Sequence, residues 1–480
     1  MFAHLNLAQF NPATLGPQAI LATLVAIACA VAPSPKHILR YLTSWPLVVV
    51  LLVIAIMAVP MLVVGYIAPC GSMQDTVAAG ELLAGRSAYP PDMRPVLKRA
   101  VSQNPIPATF SWLKATQASH LGCMYDLQVN AHPPLVAVAL EPVVAVMGYY
   151  KPALLFNAIS ILSLVLMVRV WSTAFAIRIN PKHWMLLMLL FLGSDPFLGV
   201  LRSAGLSALL AALVVVVWYL LRIDRDGWAG FFLAIAGGLK LFPLVACLAL
   251  LFRRVKGLLA VAVSCACIFG AIVFLHGTRI FQEYISTARL DVQKFDWLRN
   301  NYSLLANIRY FLSGDDVLAR PLAALACMVL CVIAGITILR LKTQKALCCD
   351  ISMALAATMM CLFPPLVWTH YYVILFFPLS IISRYSRWWE SKAASVSFFL
   401  IVASLDGAPV EKLSALFHTE IISSIPPAAV LSLFGWLIYK GLQLAETTAP
   451  EPTLEMGKDL LSTSKPRPHY GSRSRGSLEV

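Results

Sequence analysis

The chain has 480 residues, 59% of them hydrophobic and only 12% charged, with a formal net charge of +14 and a mean hydropathy of +0.78. No water-soluble domain of this length could hide so much apolar surface in its core, so the composition excludes a soluble fold and makes lipid the solvent. The basic residues are scattered over helix ends and loops and form no continuous stripe, so topology and anionic headgroups account for the charge better than nucleic acid does.

In chain order, apolar stretches long enough for a helix to cross roughly 30 Å of hydrocarbon predict spans at about 14–33, 46–66, 132–148, 153–173, 183–199, 203–222, 228–250, 257–276, 317–339, 350–368, 371–385, 394–408 and 421–441. The expected fold is therefore all-α, a polytopic integral membrane bundle with about 11–13 transmembrane helices over residues 1–444. Residues 445–480, rich in Pro, Ser, Arg and Gly, read as a disordered basic tail. No basic residue directly precedes the first apolar stretch and no convincing cleavage site follows it, so it reads as a retained span.

Arg253, Arg254 and Lys256, then Arg340, Lys342 and Lys345, then Arg384, Arg387 and Lys392, and the tail all fall on one side, which the positive-inside rule makes cytoplasmic. The same parity places two long loops, about 68–131 and 277–316, outside. It also strands Arg169, Arg178 and Lys182 outside, a conflict that points to a re-entrant or misassigned segment between 132 and 222. The basic loops and the lack of strand alternation suit the inner membrane of a bacterium.

The eleven cysteines include no CxxC and no Cys/His cluster at zinc spacing, and no metal is expected. Cys70 and Cys123 lie near the two ends of the first external loop, where a disulfide could close it. That loop is long for a connector. Residues Gln74 to Ala84 favour a short helix ended by Gly85, with Tyr89-Pro90-Pro91 turning the chain away. Asp75 falls near the expected N-terminus of this helix, where a carboxylate either caps the helix or serves as a general base.

Lys240 sits inside the apolar run GGLKLFPL, where an ammonium needs a cavity, a partner or a route to the interface. His370, beside Trp368, Tyr371 and Tyr372 between two spans, fits either an aromatic belt or a proton-transfer or orienting role. His132, at the mouth of the third span, has the same two readings. Arg202, between two short spans, either pairs with phosphate or marks a loop. In the second external loop, FDWLRNNYSLLANIRYFLSGDD has the pattern of an amphipathic helix lying on the membrane.

Five separated segments resemble one family. They are Asp75 followed by ELLAGRSAY through Tyr89, His132-Pro133-Pro134-Leu135, GGLKLFPLVACLALLFRRVKG, Asn300-Asn301-Tyr302-Ser303-Leu304, and Trp368-Thr369-His370-Tyr371-Tyr372. In order and spacing they are similar to the GT-C fold glycosyltransferases of family 87, the group that includes polyprenyl-phosphate-mannose-dependent mannosyltransferases. There are departures. His132 stands where the family often has Tyr, and Ser203-Ala204-Gly205-Leu206-Ser207 replaces a Gly-Gln-x-Asn element, which removes two amide side chains that could hold a sugar.

The resemblance implies an inverting transfer of a hexose, with mannose the sugar expected, from a polyprenyl-phosphate sugar to a lipid or glycan acceptor at the outer face of the membrane. It assigns Asp75 and His370 to catalysis, and Lys240, His132, Asn301, Tyr89, Arg202 and Tyr371 to substrate binding, with no metal and no cofactor beyond the lipid-phosphate donor. An inverting transfer needs a single carboxylate base, and the departing lipid phosphate needs cations or donors. A transporter or lipid flippase is the competing class, although no internal repeat supports it. A transferase using another lipid-phosphate sugar is the third reading.

Overall fold

The computed structural model describes residues 70–90, 132–149, 151–177, 194–251, 254–295, 301–312, 314–385 and 424–447, with Leu62, Asp92, Pro95 and Val96 beside them. The expected spans at 14–33, 46–66 and 394–408, most of 183–199, Cys123, and the tail from 448 on lie outside the described residues.

Every regular element among the described residues is a helix. In chain order they are α1 (Cys70–Leu83), α2 (Pro134–Met147), α3 (Pro152–Ala174), α4 (Asp195–Ser203), α5 (Ser207–Arg222), α6 (Asp226–Leu239), α7 (Cys247–Leu251), α8 (Val255–His276), α9 (Arg279–Phe295), α10 (Leu304–Phe311), α11 (Asp316–Arg340), α12 (Lys345–Met360), α13 (Phe376–Tyr385) and α14 (Ile425–Thr447). Two 3-10 segments, Phe242–Ala246 and Thr369–Leu375, interrupt the series. Among the described residues α3, α8, α11 and α14 are long and apolar enough to cross a bilayer. Exposed Leu259, Val263 and Phe274 on α8 and Leu325, Val329 and Ile336 on α11 give these helices the apolar outer face that lipid requires.

One end of the bundle is basic and tightly bonded. Asp350, fully buried on α12, accepts from Trp218 Nε1 at 2.7 Å and from Arg222 and the Tyr385 hydroxyl. Arg254 bridges Asp224 and Asp226 at 2.7 and 2.8 Å, and Lys345 also reaches Asp224. Burial opposes ionisation of Asp224, but the bonds from Lys345 and Arg254 outweigh it and hold that carboxyl below its usual range.

These contacts redraw the topology. Arg254 touches Asp226 and the Leu221 carbonyl, so the two ends of residues 226–251 lie at the same end of the bundle. Helix α6 has 14 residues, about 21 Å at 1.5 Å per residue, too short to cross. The chain then breaks at Lys240 in extended conformation (φ −151°, ψ 139°) and turns back through the 3-10 segment, where Leu244 packs on Gly237. The expected span at 228–250 is thus a re-entrant hairpin with Lys240 at its tip. Close approach holds it against α8: a Cβ on Gly230 would lie 2.3 Å from the Gly257 carbonyl, so only glycine fits that crossing.

A second hairpin, α12 to α13, has the same form, since Tyr385 at its far end bonds Asp350 near its start. Its tip carries the 3-10 segment Thr369–Leu375. The parity conflict over the basic residues between 132 and 222 is relieved by the first hairpin: Phe175, just past α3, lies under the Arg222 guanidinium at 4.8 Å, which puts the end of α3, with Arg169, at the basic end.

Helix α2 also differs from a span. It has 14 residues, begins beside α1 at His132 and ends with Tyr149 against Gly80 of α1, so the two short helices run alongside each other. Glu141 on α2 meets His276 at the end of α8 at 2.8 Å. Helix α9 continues this layer, with Ser87 donating to Glu283 at 2.6 Å and the Tyr284 ring packed at a tilt against Tyr89, 5.6 Å between centroids. Burial, with Asp291 adding to it, pushes the Tyr284 phenol up to about 12.

Candidate functional site

Helix α1 is already formed at Cys70, a turn ahead of the Gln74 that its composition predicts, because Met73 and Val77 are fully buried and packing overrides the weak propensity of these residues. Its end is as expected: Gly85 takes φ +68°, and the amides of Gly85 and Arg86 return to the carbonyls of Leu82 and Glu81 at 2.9 and 2.8 Å. Glu81 is held by a two-bond pair with Arg86, at 2.7 Å each. Asp75 therefore sits in the second turn, not at the N-terminus, and the helix-capping reading of its carboxylate falls away.

Asp75 is 1% exposed, and its Oδ1 lies 2.6 Å from His132 Nδ1. Its other oxygen, Oδ2, is buried with no hydrogen-bond partner among the described residues. A carboxylate with one oxygen steadied by an imidazole and the other free is oriented for accepting a proton from something that enters. Tyr89 fixes the other side of His132 by donating its hydroxyl to the His132 carbonyl at 2.8 Å. Burial, then the nearby charge of Asp75, holds the Tyr89 phenol well above its ordinary range, so it stays a donor.

The two hairpin tips meet in front of this pair. Lys240, 8% exposed, donates to the Tyr371 hydroxyl at 2.7 Å and stands 4.2 Å above the Tyr371 ring. Phe242 packs on the same ring at 5.1 Å, which closes the apolar side of the ammonium. Lys240 thus has a partner inside the protein and does not snorkel. His370 packs edge-on against Tyr371 at 4.7 Å and lies within electrostatic reach of Lys240, Arg202 and His132. Helix α4 brings Arg202 there, with Gly199 beside the His370 side chain, where a Cβ would make an ordinary contact at 3.4 Å to the His370 Cβ.

Asp75, Tyr89, His132, Arg202, Lys240, His370 and Tyr371 are thus linked by direct or near neighbours at one end of the bundle. Asn301 is different: its Nδ2 donates to the Pro365 carbonyl at 2.8 Å, and its Oδ1 accepts from the amides of Ser303 and Val367 at 3.1 and 2.9 Å. With both polar atoms engaged by backbone, Asn301 pins the loop after α12 and shapes the tip that carries His370.

Two groups were passed over in the sequence. Asp350, an acid within an apolar span, carried the general signal that intramembrane charge has a partner. Asn157 on α3 is 2% exposed, and neither atom of its amide has a partner among the described residues. Among the described residues, no group of three or more His, Cys, Asp or Glu could hold a metal ion.

The model of glycosyltransferase family 87 matches residues 130–365, which include His132, Arg202, Lys240 and Asn301. Asp75 and Tyr89 precede the matched region, and they join it through the bonds to His132. No curated protein and no solved structure matches the chain. With its apolar spans and this family match, the chain is a membrane glycosyltransferase and belongs, through residues 130–365, to glycosyltransferase family 87.

Proposed function

We propose that the protein transfers a hexose, mannose in the first instance, from a polyprenyl-phosphate sugar to the hydroxyl of a lipid or glycan acceptor, with inversion, at the outer face of a bacterial cytoplasmic membrane. The observation that carries this reading is the buried carboxylate of Asp75, with one oxygen on His132 and the other unpartnered among the described residues, in a neighbourhood that also holds Lys240, Arg202 and His370.

In this reading Asp75 takes the acceptor proton as the acceptor oxygen attacks the anomeric carbon. The bond from that carbon to the lipid phosphate breaks on the opposite face, and the electron pair leaves with the phosphate. Lys240 and Arg202 stabilise the charge that develops there, which preorganised cations do without moving. His132 and Tyr89 are positioning residues for Asp75. Tyr371 holds the Lys240 ammonium, and His370 stands between the cations and the His132 side of the site. Transfer with inversion asks for one carboxylate base, the role given to Asp75, whereas a double displacement needs a carboxylate nucleophile as well; Glu81, the next acid on α1, is engaged by Arg86.

The test is transfer by the purified protein in lipid, supplied with radiolabelled polyprenyl-phosphate mannose and a lipid and glycan extract, comparing wild type with Asp75→Asn. The expected result is a labelled product with inverted anomeric configuration from the wild type and a loss of about 10³-fold or more in the variant. Equal transfer by both would remove Asp75 from the reaction, and no transfer from mannose but transfer from another lipid-phosphate sugar would correct the donor.

A further inference from the structure

Beside Asp75 lies a set of buried polar atoms that the reading above does not use. Ser72 and Asp75 are three residues apart on one face of α1, and Ser72 is 1% exposed with a hydroxyl that has no partner among the described residues. Gly71, next to it, is in contact with the junction of α4 and α5: a Cβ there would lie 2.7 Å from the Ser203 carbonyl oxygen and 3.4 Å from the Gly205 Cα. Across that junction Ser160 of α3 donates to Phe156 O at 2.9 Å and reaches the Gly205 carbonyl at 3.4 Å. Asn157 lies one turn from Ser160 on the same face of α3, and Ser207 opens α5 two residues after Gly205. Asn157 Nδ2 and Oδ1 and Ser207 Oγ are buried and unpartnered among the described residues.

The surroundings are apolar. Ala79, Val136, Ala153, Phe156, Ala204 and Leu206 form one buried cluster that packs α1, α2, α3 and the α4–α5 junction together. Buried amides and hydroxyls are normally bonded, so several of them left open in one apolar neighbourhood mark a place built for a ligand that brings its own hydrogen-bonding groups. An amide offers a donor and an acceptor at fixed spacing, and the hydroxyls turn to suit, which matches adjacent hydroxyls on a sugar ring.

We propose that the Asn157 amide, with the hydroxyls of Ser72 and Ser207, forms a subsite that binds the ring hydroxyls of a sugar beside Asp75. Position 157 on α3 thereby supplies an amide to the neighbourhood in which the Ser203–Ser207 segment carries none. This inference rests on the transferase reading for the identity of Asp75 as the reacting carboxylate, and the sugar comes from the donor or from the acceptor.

The experiment measures binding to the full chain in lipid nanodiscs. The wild type, Asn157→Leu and Ser207→Ala are each titrated with polyprenyl phosphate, with polyprenyl phosphate bearing mannose, glucose or arabinose, and with octyl α-mannoside. Binding of bare polyprenyl phosphate at the wild-type level reports that a variant is folded. The expected result is a 10-fold or greater loss of affinity in Asn157→Leu for a sugar-bearing ligand only. A loss confined to the polyprenyl-phosphate sugars assigns the subsite to the donor; a loss confined to octyl α-mannoside assigns it to the acceptor. Ser207→Ala should give a smaller loss in the same direction, and it decides the matter if Asn157→Leu does not fold. If the folded variants bind every sugar ligand as the wild type does, the subsite is overturned while the transferase reading stands. A wild type that binds none of the panel overturns that reading and the subsite with it.

Discussion

Replacing Asp350 by alanine tests how the hairpins are held. The carboxylate is wholly buried and accepts from Trp218, Arg222 and Tyr385, which come from α5 and from the far end of the second hairpin. Breaking a buried ion pair by removing one partner costs roughly 3–5 kcal/mol. Here the cost falls at the lower end, about 3 kcal/mol, because the Arg222 side chain is 20% exposed and keeps its place over the Phe175 ring at 4.8 Å. Trp218 has no such relief: it is fully buried, and its indole N–H would be left without an acceptor. Asp350→Asn, which retains an acceptor oxygen, should lose less than Asp350→Ala. The double variant Arg222→Met, Asp350→Leu should recover the part of the loss that comes from the unpaired Arg222 charge, but not the part from Trp218 and Tyr385, which stay without their acceptor. Unfolding by SDS in mixed micelles, followed by far-ultraviolet circular dichroism, reads the wild type above Asp350→Asn above Asp350→Ala, with the double variant above Asp350→Ala and below the wild type. An Asp350→Ala protein that unfolds at the wild-type SDS fraction, or a double variant no more stable than Asp350→Ala, would refute the clamp.

Lys240→Met removes the ammonium at the tip of the first hairpin and should lower kcat by about 10²–10³-fold, the range for losing one preorganised donor to developing charge, while Lys240→Arg should recover part of it; steady-state rates on whichever donor the transfer assay accepts check this, and an unchanged kcat removes Lys240 from the phosphate. The hairpin itself predicts that cysteines placed at Arg225 and Lys256 react with a membrane-impermeant maleimide from the same side, together with one at Lys342 and opposite to one at Arg279. Labelling of the first two from opposite sides would restore residues 226–251 as a crossing helix.

Much of the bundle was legible because hydropathy reports burial in lipid directly: the expected spans at 153–173, 257–276, 317–339 and 421–441 correspond to α3, α8, α11 and α14 within a few residues. Hydropathy says nothing about direction, however, and a hairpin dipping into the membrane is as apolar as a helix that crosses it. The local signs of the turn at Lys240 were the flanking Gly237-Gly238 and Pro243, together with the misplaced charge of Arg169. Lys240, His132 and His370 stood out because a polar group in an apolar setting needs a reason. Their partners did not, since Tyr371 meets Lys240 across 131 residues and His132 meets Asp75 across 57. The resemblance gives Asn301 a substrate contact; its backbone partners, Val367 and Pro365, lie on a loop brought close only by the fold and are not legible in the sequence.

The charges at the site end constrain what can dwell there. Counted by formal charge, Asp75, Lys240 and Arg202 sum to one positive charge before any ligand enters. A lipid-phosphate sugar is a phosphodiester with a single negative charge, so its binding brings the site to neutrality, the state that a low-dielectric interior favours. Breaking the glycosidic bond converts the diester to a monoester with a second charge, while the proton released by the acceptor moves to Asp75 and removes that carboxylate's charge. Bond cleavage and proton transfer therefore compensate each other, and the total charge of the complex is unchanged through the step. Negative charge thereby moves from the base to the departing phosphate, so in the proposed transfer Asp75 gives up its charge as the phosphate gains one, and Lys240 and Arg202 serve the charge that develops there.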